Sequence, residues 1–186
     1  YQELKEEIEY LTVFQYLFFK QWRSLKEYAN SKNILIIGDI PIYVALDSVD
    51  VWSNKDHFKL DEEGYPTEVS GCPPDAFSED GQLWGSPIYD WKFHKETNYK
   101  WWINRISKLT EIYDLLRIDH FRGFESFYAI PYGDENAKNG KWIKGPNMKL
   151  FNAFKTEFGE NLPIIAEDLG FLTPEVLKML KESAFP

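Results

Sequence analysis

Three apolar runs in this chain each stop on an acid, and that repetition constrains the fold more than any other feature. NILIIGD ends at Asp39, DLLRID at Asp119 and LPIIAE at Glu167. Runs this short and this apolar predict buried strands. Side chains alternate along a strand, so Leu35, Ile37 and Asp39 share one face of the first run, and Leu115, Arg117 and Asp119 share one face of the second.

Helical patterns separate the runs. Leu4, Ile8, Leu11, Phe14, Phe18, Trp22, Leu25 and Ala29 recur at three- and four-residue steps, predicting one long amphipathic helix over residues 2–30. A second helix is expected over 98–112, carrying Trp101, Trp102, Ile106 and Leu109. A third runs from about Asn147 to Phe158 and ends at Gly159, and a last one starts at Thr173-Pro174 with a capping threonine and proline in its first turn.

Buried strands alternating with helices imply a parallel sheet with helical crossovers. Acids at the carboxyl ends of successive strands are where barrel enzymes place their chemistry. A doubly wound sheet would instead use those ends for phosphate-binding glycines, and neither G-x-G-x-x-G nor a P-loop is present. The expected fold is α/β, a partial (β/α)8 TIM barrel of about three βα units. Eight strands need roughly 250 residues, so residues 1–186 are expected to be a central segment of a catalytic barrel. Tyr1 opening a helical pattern and Pro186 following Ala184-Phe185 fit the same expectation, which makes the isolated segment inactive. From Ile40 to about residue 95 the period is lost among Gly, Pro, Asp and aromatics, predicting a loop-rich insertion. Phe121–Ile130 is a short aromatic stretch, and 133–145 is expected to be a polar loop.

Asp119 and Glu167 at two strand ends suggest a paired-carboxylate site. Glycosidic cleavage needs a proton for the leaving oxygen and an anion beneath the developing oxocarbenium ion. Arg117, on the face of Asp119, would favour an ionised carboxylate there, whereas Ile164, Ile165 and Ala166 give Glu167 an apolar setting that would keep it protonated. Asp119 is then the nucleophile and Glu167 the acid and base. The plainer reading of strand-end acids is a cap or an ion pair.

A net charge of −9 argues against a nucleic-acid partner. No apolar run approaches the roughly 20 residues that span a bilayer, so no membrane partner is expected. One cysteine, Cys72, excludes an internal disulfide and fits a reducing, cytoplasmic setting. Aromatics reach 17%, an excess that suits either sugar stacking or an aromatic core. Three histidines and scattered acids show no ligand spacing, so no metal and no cofactor is expected. His57 and His94 are expected at the surface and His120 as a sugar contact beyond the strand end. Asp168, on the other face from Glu167, reads as a cap or loop acid.

Four blocks, GDIPIYVALDSVDVW (38–52), PPDAFSEDGQLWGSPIYDW (73–91), RIDHFRGF (117–124) and AEDLG (166–170), resemble in order and spacing those of the 4-α-glucanotransferases, the amylomaltase or disproportionating-enzyme family. The resemblance implies a retaining α-glucan transferase of the α-amylase superfamily, moving segments between α-1,4-glucans or maltooligosaccharides, with Asp119 as nucleophile and Glu167 as acid and base. It places Arg117 beside the nucleophile and Asp39 at the substrate. The segment around Asp75 and Trp84 is similar to the mobile loop over the acceptor side, where Ala76 departs from an aromatic many relatives carry. The family's third acid would fall beyond Pro186. A retaining hydrolase and a non-catalytic carbohydrate-binding segment are the rival readings.

Overall fold

The computed structural model describes residues 2–169 and 172–186; Tyr1, at the head of the helical pattern, and Gly170, closing the AEDLG block, lie outside them. The fold is mixed α/β with two sheets. Strands β1 (Ile37–Ile40), β4 (Leu115–Ile118) and β7 (Ile164–Ala166) form a parallel sheet in the order β1-β4-β7. The helix α1 (Lys5–Ser31) precedes β1, α4 (Lys100–Ile112) precedes β4, α5 (Met148–Phe158) precedes β7, and α6 (Pro174–Ser183) follows it. All four helices foreseen from periodicity are present. The last is capped as its sequence requires, Thr173 Oγ1 accepting from Val176 N at 3.3 Å.

One face of the parallel sheet carries Ile40, Leu116, Ile118, Ile164 and Ala166, buried with Trp102 and Ile106 of α4, Phe151 and Phe154 of α5 and Met179 of α6 in one core. Gly38 lets this layer close, since a Cβ there would lie 2.2 Å from the Tyr113 ring. The other face differs from expectation. Leu35, Ile37 and Asp39 do share a face, but it is open, with Ile37 54% exposed, because the helices pack only on the Ile40 side. The first strand is also shorter than NILIIGD suggests. Asp114 ties the approach to it in place, its Oδ2 accepting from Ile36 N (2.8 Å) and Asn30 Nδ2 (2.9 Å). None of the residues of α1 is buried, and Phe14 and Phe18 of its apolar stripe stand half exposed. It is anchored by Trp22, whose Nε1 donates to Ile112 O at 2.9 Å, and by Lys26, paired with Asp114 at 3.4 Å.

The second sheet was not foreseen. Strands β2 (Glu68–Cys72), β3 (Gln82–Pro87), β5 (Ser126–Pro131) and β6 (Lys141–Lys144) pair antiparallel in the order β3-β2-β5-β6, so the otherwise loop-rich insertion contributes two strands of a second sheet and the expected polar loop a third. Short helices α2 (Val49–Ser53) and α3 (Trp91–Glu96) flank it in sequence. One of the glycines that hid these strands, Gly71, is there for a steric reason. A Cβ on Gly71 would meet Gln82 O at 2.1 Å, beside an irregularity in the β2–β3 register. Among the described residues, no helix is long and apolar enough to cross a membrane.

His94 corrects a second expectation. It is 0% exposed, ringed by Tyr89, Trp91, Trp101 and His57, the last at a centroid distance of 4.8 Å. Its place on α3, packed between aromatics of the expected insertion and Trp101 of the expected helix over 98–112, puts it inside. Burial, helped by neighbouring His57 and opposed by Asp90, lowers its pKa from 6.5 to about 3. The unfolded chain therefore binds a proton that the fold refuses between those values. Stability from this group is complete above about pH 6.5 and falls by up to about 1.4 kcal/mol for each unit below it. Urea midpoints of the parent should drop between pH 7 and 4.5 by more than those of His94→Gln; parallel curves would remove His94 as the cause.

Candidate active site

The carboxyl ends of the parallel strands bring four predicted residues together. Asp39 and Arg117 are register partners on β1 and β4, and Arg117 Nη1 donates to Asp39 Oδ1 at 2.8 Å and to Asp119 Oδ1 at 3.3 Å. One guanidinium thus bridges two acids, and its bond to Asp39 raises the Arg117 pKa further. The backbone continues the ladder past the assigned strands: Asp119 N donates to Ile40 O (2.9 Å) and Glu167 N to Ile118 O (3.1 Å), which sets the two acids on adjacent strand ends.

Glu167 is 9% exposed and its carboxylate is held at both oxygens. Oε2 accepts from His120 N at 2.9 Å and Oε1 from Leu169 N at 2.7 Å. The apolar setting expected from its sequence neighbours does not extend to the tip of the side chain, which meets two backbone donors. Asp168 is exposed, as its alternation with Glu167 requires.

His120 takes a left-handed backbone, φ 55°, and opens the 3₁₀ turn Phe121–Phe124. Its ring stands edge-on to Trp84, centroids 4.9 Å apart at 89°. Burial and the nearby Arg122 charge, opposed by Asp119, lower its pKa from 6.5 to about 4, so the ring is neutral at physiological pH. Trp84, from β3 of the second sheet, is 39% exposed and lines a cleft of about 280 Å³ with Asp119, His120, Tyr43, Ser70 and Ser86. A larger cleft of about 490 Å³ is lined by Asp39, Asp50, Asn54 and Arg105 but contains neither Asp119 nor Trp84. The smaller one joins a strand-end carboxylate to an aromatic wall and is the better candidate.

Asp75 is not brought to the cluster. It is exposed, and its Oδ1 accepts from Phe77 N and Ser78 N, both at 2.8 Å, so it shapes its own turn. That turn presents Phe77, 100% exposed, next to Ala76. Sequence reading passed over Phe77 and also Tyr43, which packs on Tyr89 (5.9 Å, 19°) behind Trp84. The signal for Tyr43 was its place four residues after Asp39 in IPIYV. Among the described residues, no group of three or more His, Cys, Asp or Glu could hold a metal ion.

A strand-end acid cluster on a parallel sheet, facing an aromatic wall from a second sheet, sits in a chain that resembles known enzymes over its whole length. The profile of the 4-alpha-glucanotransferase family matches residues 1–186, and the chain belongs to that family. The 4-alpha-glucanotransferase of Clostridium butyricum is 60% identical over 185 residues, covering 99% of this chain and 38% of that protein. That of Streptococcus pneumoniae is 54% identical, covering 100% and 36%. A solved structure, amylomaltase from Streptococcus agalactiae in complex with acarbose, superposes with a TM-score of 0.97 at 49% identity over 100% of this chain and 37% of its own. The chain thus spans a little over a third of the relatives it matches.

Proposed function

We propose that this chain carries the nucleophile and the acid/base of a retaining α-1,4-glucan transferase, and that it is a central segment of a (β/α)8 barrel. Three parallel strands with helices on one face supply three of the eight units. The open face of the sheet and the exposed stripe of α1 are surfaces that the other units of such a barrel would cover. The observation that carries the chemical reading is Arg117 bridging Asp39 and Asp119 beside the doubly held Glu167.

Asp119, whose carboxylate accepts a hydrogen bond from Arg117, attacks the anomeric carbon of the donor glucan. Glu167 gives its proton to the departing glycosidic oxygen, and a covalent glycosyl-enzyme forms. Glu167, now a carboxylate, takes the proton of an acceptor hydroxyl, which displaces Asp119 and completes the new α-1,4 bond. Asp39 and Arg117 fix the nucleophile's orientation and touch the sugar beneath it. Trp84 offers a partly exposed ring on which the acceptor stacks, Phe77 a second at the tip of the turn built by Asp75, and His120 the floor between them. The names of the relatives and the acarbose bound by the streptococcal amylomaltase support α-1,4-glucans as donor and acceptor. A cytoplasmic setting, where a thiol such as Cys72 stays reduced, suits that role.

Incubating the full-length protein with maltotriose tests the reading: shorter and longer maltooligosaccharides should appear together, in excess of free glucose from hydrolysis. Hydrolysis alone would make the protein a hydrolase, and binding without turnover a carbohydrate-binding segment. Trp84→Ala should lower the transfer-to-hydrolysis ratio several-fold, because an unstacked acceptor competes less well with water. An unchanged ratio would return Trp84 to a packing role.

A further inference from the structure

We propose that Tyr89 and Arg105 are positioning residues for the acceptor side of the smaller cleft: their side chains grip the consecutive carbonyls of Ile42 and Pro41 and so hold in place the wall that carries Ile42 and Tyr43 behind Trp84. The inference rests on the reading of that cleft as the acceptor's and deepens it, since neither residue lines the cleft itself.

The need for such a grip is set by the chain. Strand β1 ends at Ile40, and residues 41–48 belong to no helix or strand. The last carbonyl of the strand is used, Ile40 O accepting from Asp119 N at 2.9 Å. The next two meet no backbone donor among the described residues, and a buried carbonyl left unpaired is costly. Side chains take over. Tyr89 Oη donates to Ile42 O at 2.8 Å in a buried bond. Arg105 Nη2 donates to Pro41 O at 2.9 Å, and its Nη1 reaches Tyr89 Oη at 3.4 Å.

Both gripping groups are themselves fixed. Tyr89 is fully buried, packed against the rings of Phe58, Trp101 and Trp102. Burial, opposed by Arg105, raises its pKa, so the hydroxyl keeps the proton it donates. The Arg105 guanidinium lies over Trp102 at 5.0 Å and Trp101 at 5.4 Å. What they hold reaches the site. Ile42 and Tyr43 line the cleft with Trp84 and Asp119. The Tyr43 ring stacks on Tyr89 at 5.9 Å and meets Trp84 at 6.3 Å. Ile42 Cδ1 fills the space beside Gly123, where a Cβ would lie 2.7 Å from it, so the wall also abuts the turn after Asp119. Without the bond to Ile42 O the wall shifts, Trp84 loses its backing, and an acceptor sugar competes less well with water. Asp119 and Glu167 are held by other donors, Arg117 and the N–H groups of His120 and Leu169, so donor cleavage is spared.

Tyr89→Phe in the full-length protein removes one hydroxyl and keeps the ring contacts. Its transfer-to-hydrolysis ratio on maltotriose should fall about threefold or more and its KM for glucose as acceptor rise by a similar factor, while first-turnover fluoride release from α-maltotriosyl fluoride stays within about twofold. Arg105→Met, which keeps an apolar stem over the tryptophans, should move the ratio the same way. In a Trp84→Ala background, Tyr89→Phe should change the ratio by less than about 1.5-fold, because the ring that the wall backs is gone. A merely structural role would lower the melting temperature and the active fraction, scale both half-reactions together and leave the ratio and KM at parental values; that result overturns the assignment for whichever residue gives it. A full effect of Tyr89→Phe without Trp84 overturns the route through the wall. Should Tyr89→Phe fail to fold, Arg105→Met decides alone on the ratio and KM. A parent without transferase activity, or a Trp84→Ala with the parental ratio, would instead sink the reading of the cleft, and the proposal with it.

Discussion

Asp119→Asn in the full-length protein is expected to cut maltotriose disproportionation by about 10⁴-fold while leaving maltooligosaccharide binding within a few-fold of the parent. Asparagine has nearly the same shape but is neutral, and an amide does not form the glycosyl ester. The side chain of Asp119 is 51% exposed, so the exchange disturbs no packing. Arg117 keeps its shorter bond to Asp39, 2.8 Å against 3.3 Å to Asp119, and should stay in position. What disappears is bonding that exists only on the way to the covalent intermediate, and ground-state contacts to the other sugar rings remain. Product chromatography measures the first effect and calorimetry with maltotriose the second. Turnover within tenfold of the parent would remove Asp119 from the nucleophile's role.

Much of the parallel layer could be foreseen because its physics is local. DLLRID and LPIIAE are short apolar runs that each close on an acid, and the helices before and after them have a clear 3.6-residue period, so α4, α5, α6 and two strands follow from burial alone. The face of Asp119 was also legible, since alternation places Arg117 beside it. The second sheet was not legible. EVSGC and QLWGSP contain residues that normally break strands, and Gly71 is explained by the close approach of Gln82 O (2.1 Å) and Ile130 Cδ1 (2.4 Å) to where a Cβ would stand. Pairing partners on β2 and β5 are far apart in sequence, and no local pattern announces them. His94 was misjudged for the same reason, since its aromatic cage joins His57, Tyr89 and Trp101, which come from separate stretches of the chain. At the site itself, neither the left-handed turn of His120 nor the two N–H donors on Glu167 has a sequence signature. They depend on how β4 and β7 end side by side.

Glu167→Gln is expected to lower turnover of maltotriose by about 10³-fold or more, yet to leave the first-turnover release of fluoride from α-maltotriosyl fluoride within about tenfold of the parent. Natural glucans leave as alkoxides unless protonated, whereas fluoride needs little help, so removing the acid separates the two substrates. The second half-reaction has no such escape, because the acceptor hydroxyl must still lose its proton. The variant should therefore release one equivalent of fluoride and then stall as the glycosyl-enzyme. The local geometry adds a further consequence. Both oxygens of Glu167 accept backbone N–H groups, from Leu169 at 2.7 Å and His120 at 2.9 Å. A glutamine must turn its NH₂ toward one of them, setting donor against donor in a site only 9% exposed, at a cost of about 1–3 kcal/mol. Glu167→Gln should accordingly unfold at a lower temperature than Asp119→Asn, whose exposed carboxylate has no backbone donor to offend. A fluoride burst as depressed as maltotriose turnover would deny Glu167 the acid's role; equal melting temperatures for the two variants would deny that its carboxylate is held at both oxygens in solution.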